Sequence, residues 1–122
     1  MTTPLEERLD AIASALADAR FCAIDEAALQ DQVAYALFRK DIAYEREVRL
    51  SASDRVDLMV GGDIAVELKV RTSGTRLTRQ VIRYACHPLV SAVVVAGTTH
   101  HVRNVPSTAC GKPVLAIQLR GW

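Results

Sequence analysis

Asp57, Glu67 and Lys69 have the types and spacing best suited to chemistry in this chain. They fall in two apolar runs, Arg55-Val56-Asp57-Leu58-Met59-Val60 and Ile64-Ala65-Val66-Glu67-Leu68-Lys69-Val70, joined by Gly61-Gly62-Asp63. If the runs pair as strands, the two carboxylates oppose each other, and like charges across a sheet repel. A divalent cation between them removes that repulsion, and hard oxygen ligands suit Mg²⁺ or Mn²⁺. Lys69, two residues past Glu67, points to the same side of its strand. An ammonium there can hold or deprotonate an attacking water, or stabilise charge on a phosphate. The chemistry is metal-assisted phosphodiester hydrolysis. The plainer alternative is a solvent-facing hairpin in which Lys69 pairs with Glu67 or Asp57. The second run is apolar apart from its two charges, whereas an ordinary exposed face would carry more Thr, Ser, Gln or Lys.

Loop length decides whether the pair forms. A two-residue loop would set Asp57 against Val66 and mix the faces. A three-residue loop, with a glycine at positive φ, sets Asp57 against Glu67. That register places Val56, Leu58, Val60, Ile64, Val66, Leu68 and Val70 on one face. Arg55, Asp57, Met59, Ala65, Glu67 and Lys69 take the other.

The flanking elements follow from hydrophobic period. Leu5 to Arg20 reads as a helix, with Leu5, Leu9, Ile12, Ala13 and Leu16 on one face and Thr3-Pro4, Glu6 and Glu7 at its start. A second helix spans about Asp25 to Lys40, capped by Asp25, with Leu29, Val33, Ala36 and Leu37 inward. From Ala43 the period becomes two, giving a strand to Leu50, then the two runs above. Ser73-Gly74 ends the third strand. Thr75 or Thr78 caps a helix from Arg76 to Cys86, which His87-Pro88 stops. Ser91 to Ala96 is apolar throughout and reads as a buried strand parallel to the third. Gly97 to Lys112 reads as loop, and Val114 to Leu119 as an edge strand. The expectation is a single α/β domain over 1–122, its core at 25–97, in the order α-α-β-β-β-α-β-β with a mixed sheet.

Charge is strongly segregated. All 14 acidic residues and seven of the 15 basic ones precede residue 68, so the first 67 residues carry −7 and the last 55 carry +8. Eight basic residues follow Glu67: Lys69, Arg71, Arg76, Arg79, Arg83, Arg103, Lys112 and Arg120. A long stretch without one carboxylate suggests a polyanionic partner, and charge pairing between the two halves is the alternative. Cys22, Cys86 and Cys110 form no CxxC pair and do not read as a disulfide framework. Two of them near His87, His100 or His101 would permit a zinc site. No Lys/Arg-led apolar leader or membrane-length apolar run is visible, so a cytoplasmic location is expected.

The sequence from Arg55 to Val60, the glycine turn and Ile64 to Lys69 resembles the PD-(D/E)XK nuclease superfamily, which includes many restriction endonucleases, Holliday-junction resolvases and viral exonucleases. The resemblance covers roughly Asp25 to Gly97. It implies a restriction-endonuclease-like core, with Asp57 and Glu67 binding Mg²⁺ and Lys69 assisting the water. Val56 stands where the family name has proline, a position that varies widely in the superfamily. Gln80-Val81-Ile82-Arg83-Tyr84 resembles the Gln-x-x-x-Tyr motif of some branches, and residues four apart share a helix face. On the other view Tyr84 packs in the core and Gln80 is merely exposed. Arg76, Arg79 and Arg83 make one basic stripe suited to phosphates, or else a solvated face. An acidic residue on the first core helix is common in the superfamily. Glu26 is the first candidate and Gln30 lies four residues on, although an acid at a helix start also suits the dipole. Glu45 and Glu47 are further candidates of unfixed face, and His100-His101 falls in a loop.

The expected activity is Mg²⁺-dependent cutting of DNA, structure-specific or weakly sequence-specific, because so short a chain leaves little room for target recognition. A homodimer is expected if both strands of a duplex are cut, with a protein partner supplying specificity. The alternatives are a nuclease fold that binds without cutting, and an interaction protein whose basic half docks an acidic partner.

Overall fold

The computed structural model describes residues 4–71 and 74–121. Thr3, expected at the first helix start, and Ser73, expected at the break after the third strand, lie outside the described residues. The elements are α1 Pro4–Ala17, α2 Glu26–Arg39, β1 Tyr44–Arg49, β2 Arg55–Val60, β3 Ile64–Lys69, α3 Gly74–Ala85, β4 Ala92–Gly97, a 3₁₀ helix His100–Asn104, β5 Thr108–Ala109 and β6 Lys112–Gln118. The fold is α/β. One mixed sheet runs β1-β2-β3-β4-β6-β5, with β1, β2 and β3 antiparallel in turn and β3, β4 and β6 parallel.

Strand alternation divides the core into two layers. Leu58, Val60, Ile64, Val66 and Leu68 pack with Leu9, Ile12 and Leu16 of α1 and with Leu29, Val33 and Leu37 of α2. Met59, Ala65, Val93 and Val95 pack on the opposite face with Leu77, Val81 and Tyr84 of α3. Helix α3 therefore bridges two parallel strands while covering one face, as a βαβ crossover must. β4 is buried along its whole length, as its unbroken apolar run requires.

Local signals place the ends. The Asp25 carboxylate accepts the Ala28 N–H at 2.8 Å and starts α2. In the β2–β3 hairpin Val60 pairs with Ile64, leaving a three-residue loop in which Gly61 and Gly62 hold φ of 60° and 85°. The Arg8 guanidinium lies against Gly61 and grips both carboxylate oxygens of Asp63, fastening α1 to the turn.

Several expectations need correction. Gly97 to Lys112 is not all loop: it holds the 3₁₀ helix and β5, which pairs with the first residues of β6 and partly covers that edge. Thr75 and Thr78 lie inside α3, which begins at Gly74. Val56 packs with the α3 layer rather than beside Leu58. On the neighbouring β1, Glu47 holds φ 52° between Arg46 and Val48, and the pairing register is the same on both sides of it. Cys86 and Cys110 form a disulfide with a Cα–Cα distance of 5.4 Å, 24 residues apart. Neighbouring Ala85 and Ala109 share one core cluster, a convergence that spacing alone does not reveal. Cys22 is free and exposed. Among the described residues no group of three or more His, Cys, Asp or Glu side chains could hold a metal, so the cysteine–histidine zinc site does not form. Among them, too, no helix is long and apolar enough to cross a membrane.

Candidate active site

The β2–β3 ladder runs out to Leu58 opposite Val66, and Asp57 and Glu67 are the next residue along each strand. Beyond Leu58 the ladder gives way to a side-chain contact, in which the Leu68 N–H donates to Asp57 Oδ2 at 2.8 Å. Asp57 thus satisfies a main-chain donor of the neighbouring strand and is held by it. Central strand β3, bonded to β2 and β4, buries Glu67 at 3% exposure and Lys69 at 9%. Lys69 Nζ lies 3.1 Å from Glu67 Oε2. Glu67 Oε1 is buried and has no hydrogen-bond partner among the described residues.

These surroundings set the electrostatics. Burial, then the charge of Asp57, pushes the Glu67 carboxyl up to about 8, against the opposing pull of Lys69. Burial also raises Asp57, partly offset by the Leu68 N–H and by Lys69. Glu26, at the start of α2, raises both, so the structure brings this third acid within electrostatic reach. The centre is an acid-rich cluster compensated by one ammonium.

Helix α3 closes one side. Tyr84 is a core residue, and its hydroxyl donates to the Arg55 carbonyl at 3.2 Å while accepting from Gln80 Nε2 at 2.9 Å. Burial, then the negative charge of Glu67, raises the Tyr84 hydroxyl, so its polar end senses the carboxylates. Gln80 Oε1 is buried without a partner among the described residues. Gln80 also lines a cleft of about 500 Å³ with Thr75, Arg76, Arg79 and Arg83, and so connects the arginines to the Tyr84 hydroxyl. Arg83 is engaged by Asp54, Nε to Oδ1 at 3.0 Å. Arg71 stands apart from this stripe, in a separate cleft of about 220 Å³ with Ile24, Asp25, Glu26 and Val70.

Other candidates point elsewhere. Gln30 Oε1 accepts from Arg46 Nε at 2.9 Å. Glu45 and Glu47 are exposed on β1, and Glu47 faces Arg55 at 3.5 Å. His100 and His101 stand on the 3₁₀ helix with ring centres 4.3 Å apart. Three contributors were not legible beforehand: the Leu68 N–H, Asp54 against the arginine stripe, and Gly97. Gly97 ends β4 opposite Lys69, where an added Cβ would collide with the Lys69 carbonyl. The only sequence sign of Gly97's role is a glycine closing the apolar run.

The residues fit a hard divalent cation with few protein ligands. Asp57 and Glu67 supply carboxylates, and the unpartnered Glu67 Oε1 is an acceptor needing a positive neighbour. Mg²⁺ is commonly held by one or two carboxylates, with water and substrate phosphates completing its shell. Comparison with known proteins finds no matching family model, no matching curated protein and no matching solved structure.

Proposed function

We propose that this chain is a metal-dependent nuclease that hydrolyses DNA phosphodiester bonds on a core of the restriction-endonuclease-like kind. One observation carries the proposal: a buried Glu67 with an unpartnered oxygen and a half-buried Asp57 lie on adjacent strands, with an ammonium 3.1 Å from Glu67. Like charges held close together at low exposure destabilise a fold, so this grouping makes physical sense as a binding site for positive charge. Asp57 and Glu67 would hold Mg²⁺ or Mn²⁺. When bound, the cation would supply Lewis acidity toward water and phosphate oxygen. Lys69 orients the attacking water or neutralises charge that grows on the phosphate. Arg76 and Arg79 in the α3 cleft suit the flanking backbone, and Gln80 positions the Tyr84 hydroxyl beside it. Cutting both strands of a duplex requires two such centres, which a homodimer would provide.

The Glu67–Lys69 ion pair also favours a second reading, because it partly compensates the site without a cation. The chain would then bind nucleic acid and not cut it. Incubation with Mg²⁺ or Mn²⁺ and linear, nicked, branched and single-stranded DNA separates the two. The wild type should cut at least one substrate, and Asp57→Ala and Lys69→Ala should not. Identical behaviour of all three proteins on every substrate, with folding confirmed by circular dichroism, removes the enzymatic proposal.

A further inference from the structure

We propose that the groove between the end of α1 and the outer face of α2 is a stacking site for unpaired bases of a single-stranded nucleic acid. The chain has only two Phe, three Tyr and one Trp, yet Tyr35 and Phe38 on α2 are 61% and 68% exposed. The Arg39 guanidinium carbon lies 6.0 Å from the Tyr35 ring centre, within cation–π range. Arg20, Tyr35 and Arg39 line a groove of about 470 Å³, with Ala36 and the buried Phe21 as small or closed neighbours. Such a lining combines an aromatic face with guanidinium groups, suited to a flat ring that carries negative charge nearby.

Charge selects the occupant. Asp18, the only carboxylate lining the groove among the described residues, is engaged by Lys40 at 3.1 Å. Arg20 and Arg39 therefore dominate the local field and favour a polyanion. The groove is also built. Gln32 accepts the Cys22 N–H at 3.0 Å and donates to the Cys22 carbonyl at 3.1 Å, holding the segment after α1 against α2. An exposed aromatic face beside guanidinium groups binds successive bases with little sequence preference, since every base has a π-face. Tyr35 lies nine residues beyond Glu26 on the same helix, about 14 Å along its axis at ~1.5 Å per residue. A single-stranded arm stacked here would pass within a few nucleotides of the carboxylates. That use rests on the nuclease proposal, whereas the binding does not.

The test is fluorescence anisotropy of a labelled oligothymidylate in EDTA, where nothing is cut. Tyr35→Leu keeps the apolar bulk and removes the π-face, so its affinity should fall about 5- to 150-fold. Tyr35→Trp should bind at least as well as wild type, and Arg39→Ala should weaken binding and flatten its salt dependence. Absence of wild-type binding, or equal binding by Tyr35→Leu, overturns the inference. So does a dimer in sedimentation equilibrium that Tyr35→Leu dissociates, because the face would then join two copies of the chain. Binding that depends on Tyr35, with no cutting when Mg²⁺ is restored, would retire the nuclease proposal alone. Cutting that is indifferent to Tyr35 on single-stranded substrates, with equal binding, would retire only this one.

Discussion

Gly97→Ala tests how closely β4 presses on the strand that carries the candidate site. A Cβ added at Gly97 would sit 2.2 Å from the Lys69 carbonyl oxygen and 3.1 Å from its carbon and from Val102 Cγ1. Ordinary contact begins near 3.4 Å, so the oxygen must retreat by about 1.2 Å. At Lys69 β3 is paired with β4, and the Leu68 N–H bond to Asp57 ties β3 to β2 one residue earlier, so the shift is resisted from both sides. It would also disturb the Thr98 N–H bond to the same oxygen, 3.3 Å in the native chain. Overpacking of this kind costs about 1–3 kcal/mol. The loss of unfolded-state freedom on going from glycine to alanine returns about 0.4–1 kcal/mol. A net cost of ~1–2 kcal/mol lowers the melting temperature by about 4–8 °C in a chain of this size. Moving Lys69 by about 1 Å should cost cleavage far more, on the order of 100-fold. Thermal unfolding and an Mg²⁺-dependent cleavage assay measure the two effects. A variant that melts within about 1 °C of wild type and cuts within about twofold would show that β3 and β4 do not touch in this way.

Other expected outcomes concern charge and covalent links. The folded Glu67 carboxyl titrates at about 8, above its ordinary 4.5, so the folded state keeps a proton that the unfolded chain releases. Stability of the metal-free protein should therefore be greatest below the ordinary carboxylate value and decline as pH rises toward 8, and Glu67→Gln should flatten the decline. Melting curves in EDTA that rise or stay level over that range would contradict this. Added Mg²⁺ should stabilise most at the alkaline end, where the proton no longer competes for the site. Reducing the Cys86–Cys110 disulfide frees a loop of 24 residues, which should cost about 3 kcal/mol on the chain-entropy model, read as a lower urea midpoint with dithiothreitol. Arg79→Ala should lower the slope of log affinity for duplex DNA against log salt by about 0.9, the signature of one lost phosphate contact. Arg83→Ala should change it less, because Asp54 already engages that guanidinium.

The sequence disclosed most where a repeating physical constraint acted on many residues at once. The helix from Glu26 to Arg39 falls inside its predicted span because its apolar stripe and Asp25 cap agree. The hairpin register was legible because only one loop length separates apolar from charged side chains. The apolar run ending at Ala96 marked a buried parallel strand for the same reason. What escaped depends on distant segments meeting. The disulfide joins the end of α3 to the turn before β6, and nothing in the spacing of Cys86 and Cys110 announces it. The bond from Leu68 to Asp57 requires the ladder to open, which a pattern of side chains does not encode. Gln30 was a candidate from its helical position, but Arg46 on β1 claims it. Val56 went to the other layer although strict alternation from Leu58 puts it in the first, a local departure that a period of two does not encode.

The turn from Gly61 to Asp63 carries no chemistry of its own, yet it sets which side chains meet. If one of its residues is deleted, a two-residue loop keeps Val60 opposite Ile64, but a loop that draws in Val60 slides β3 by one place against β2, bringing Val66 opposite Asp57 and turning Glu67 and Lys69 toward the α1–α2 layer. Every charged group would still be present in the polypeptide, but the constellation would be gone. Insertions and deletions at this bend are therefore a hazard to the charged cluster quite separate from point substitution. The Arg8 clasp on Asp63 and Gly61 extends that dependence to the first helix, so α1 helps keep the count of residues in the bend effective.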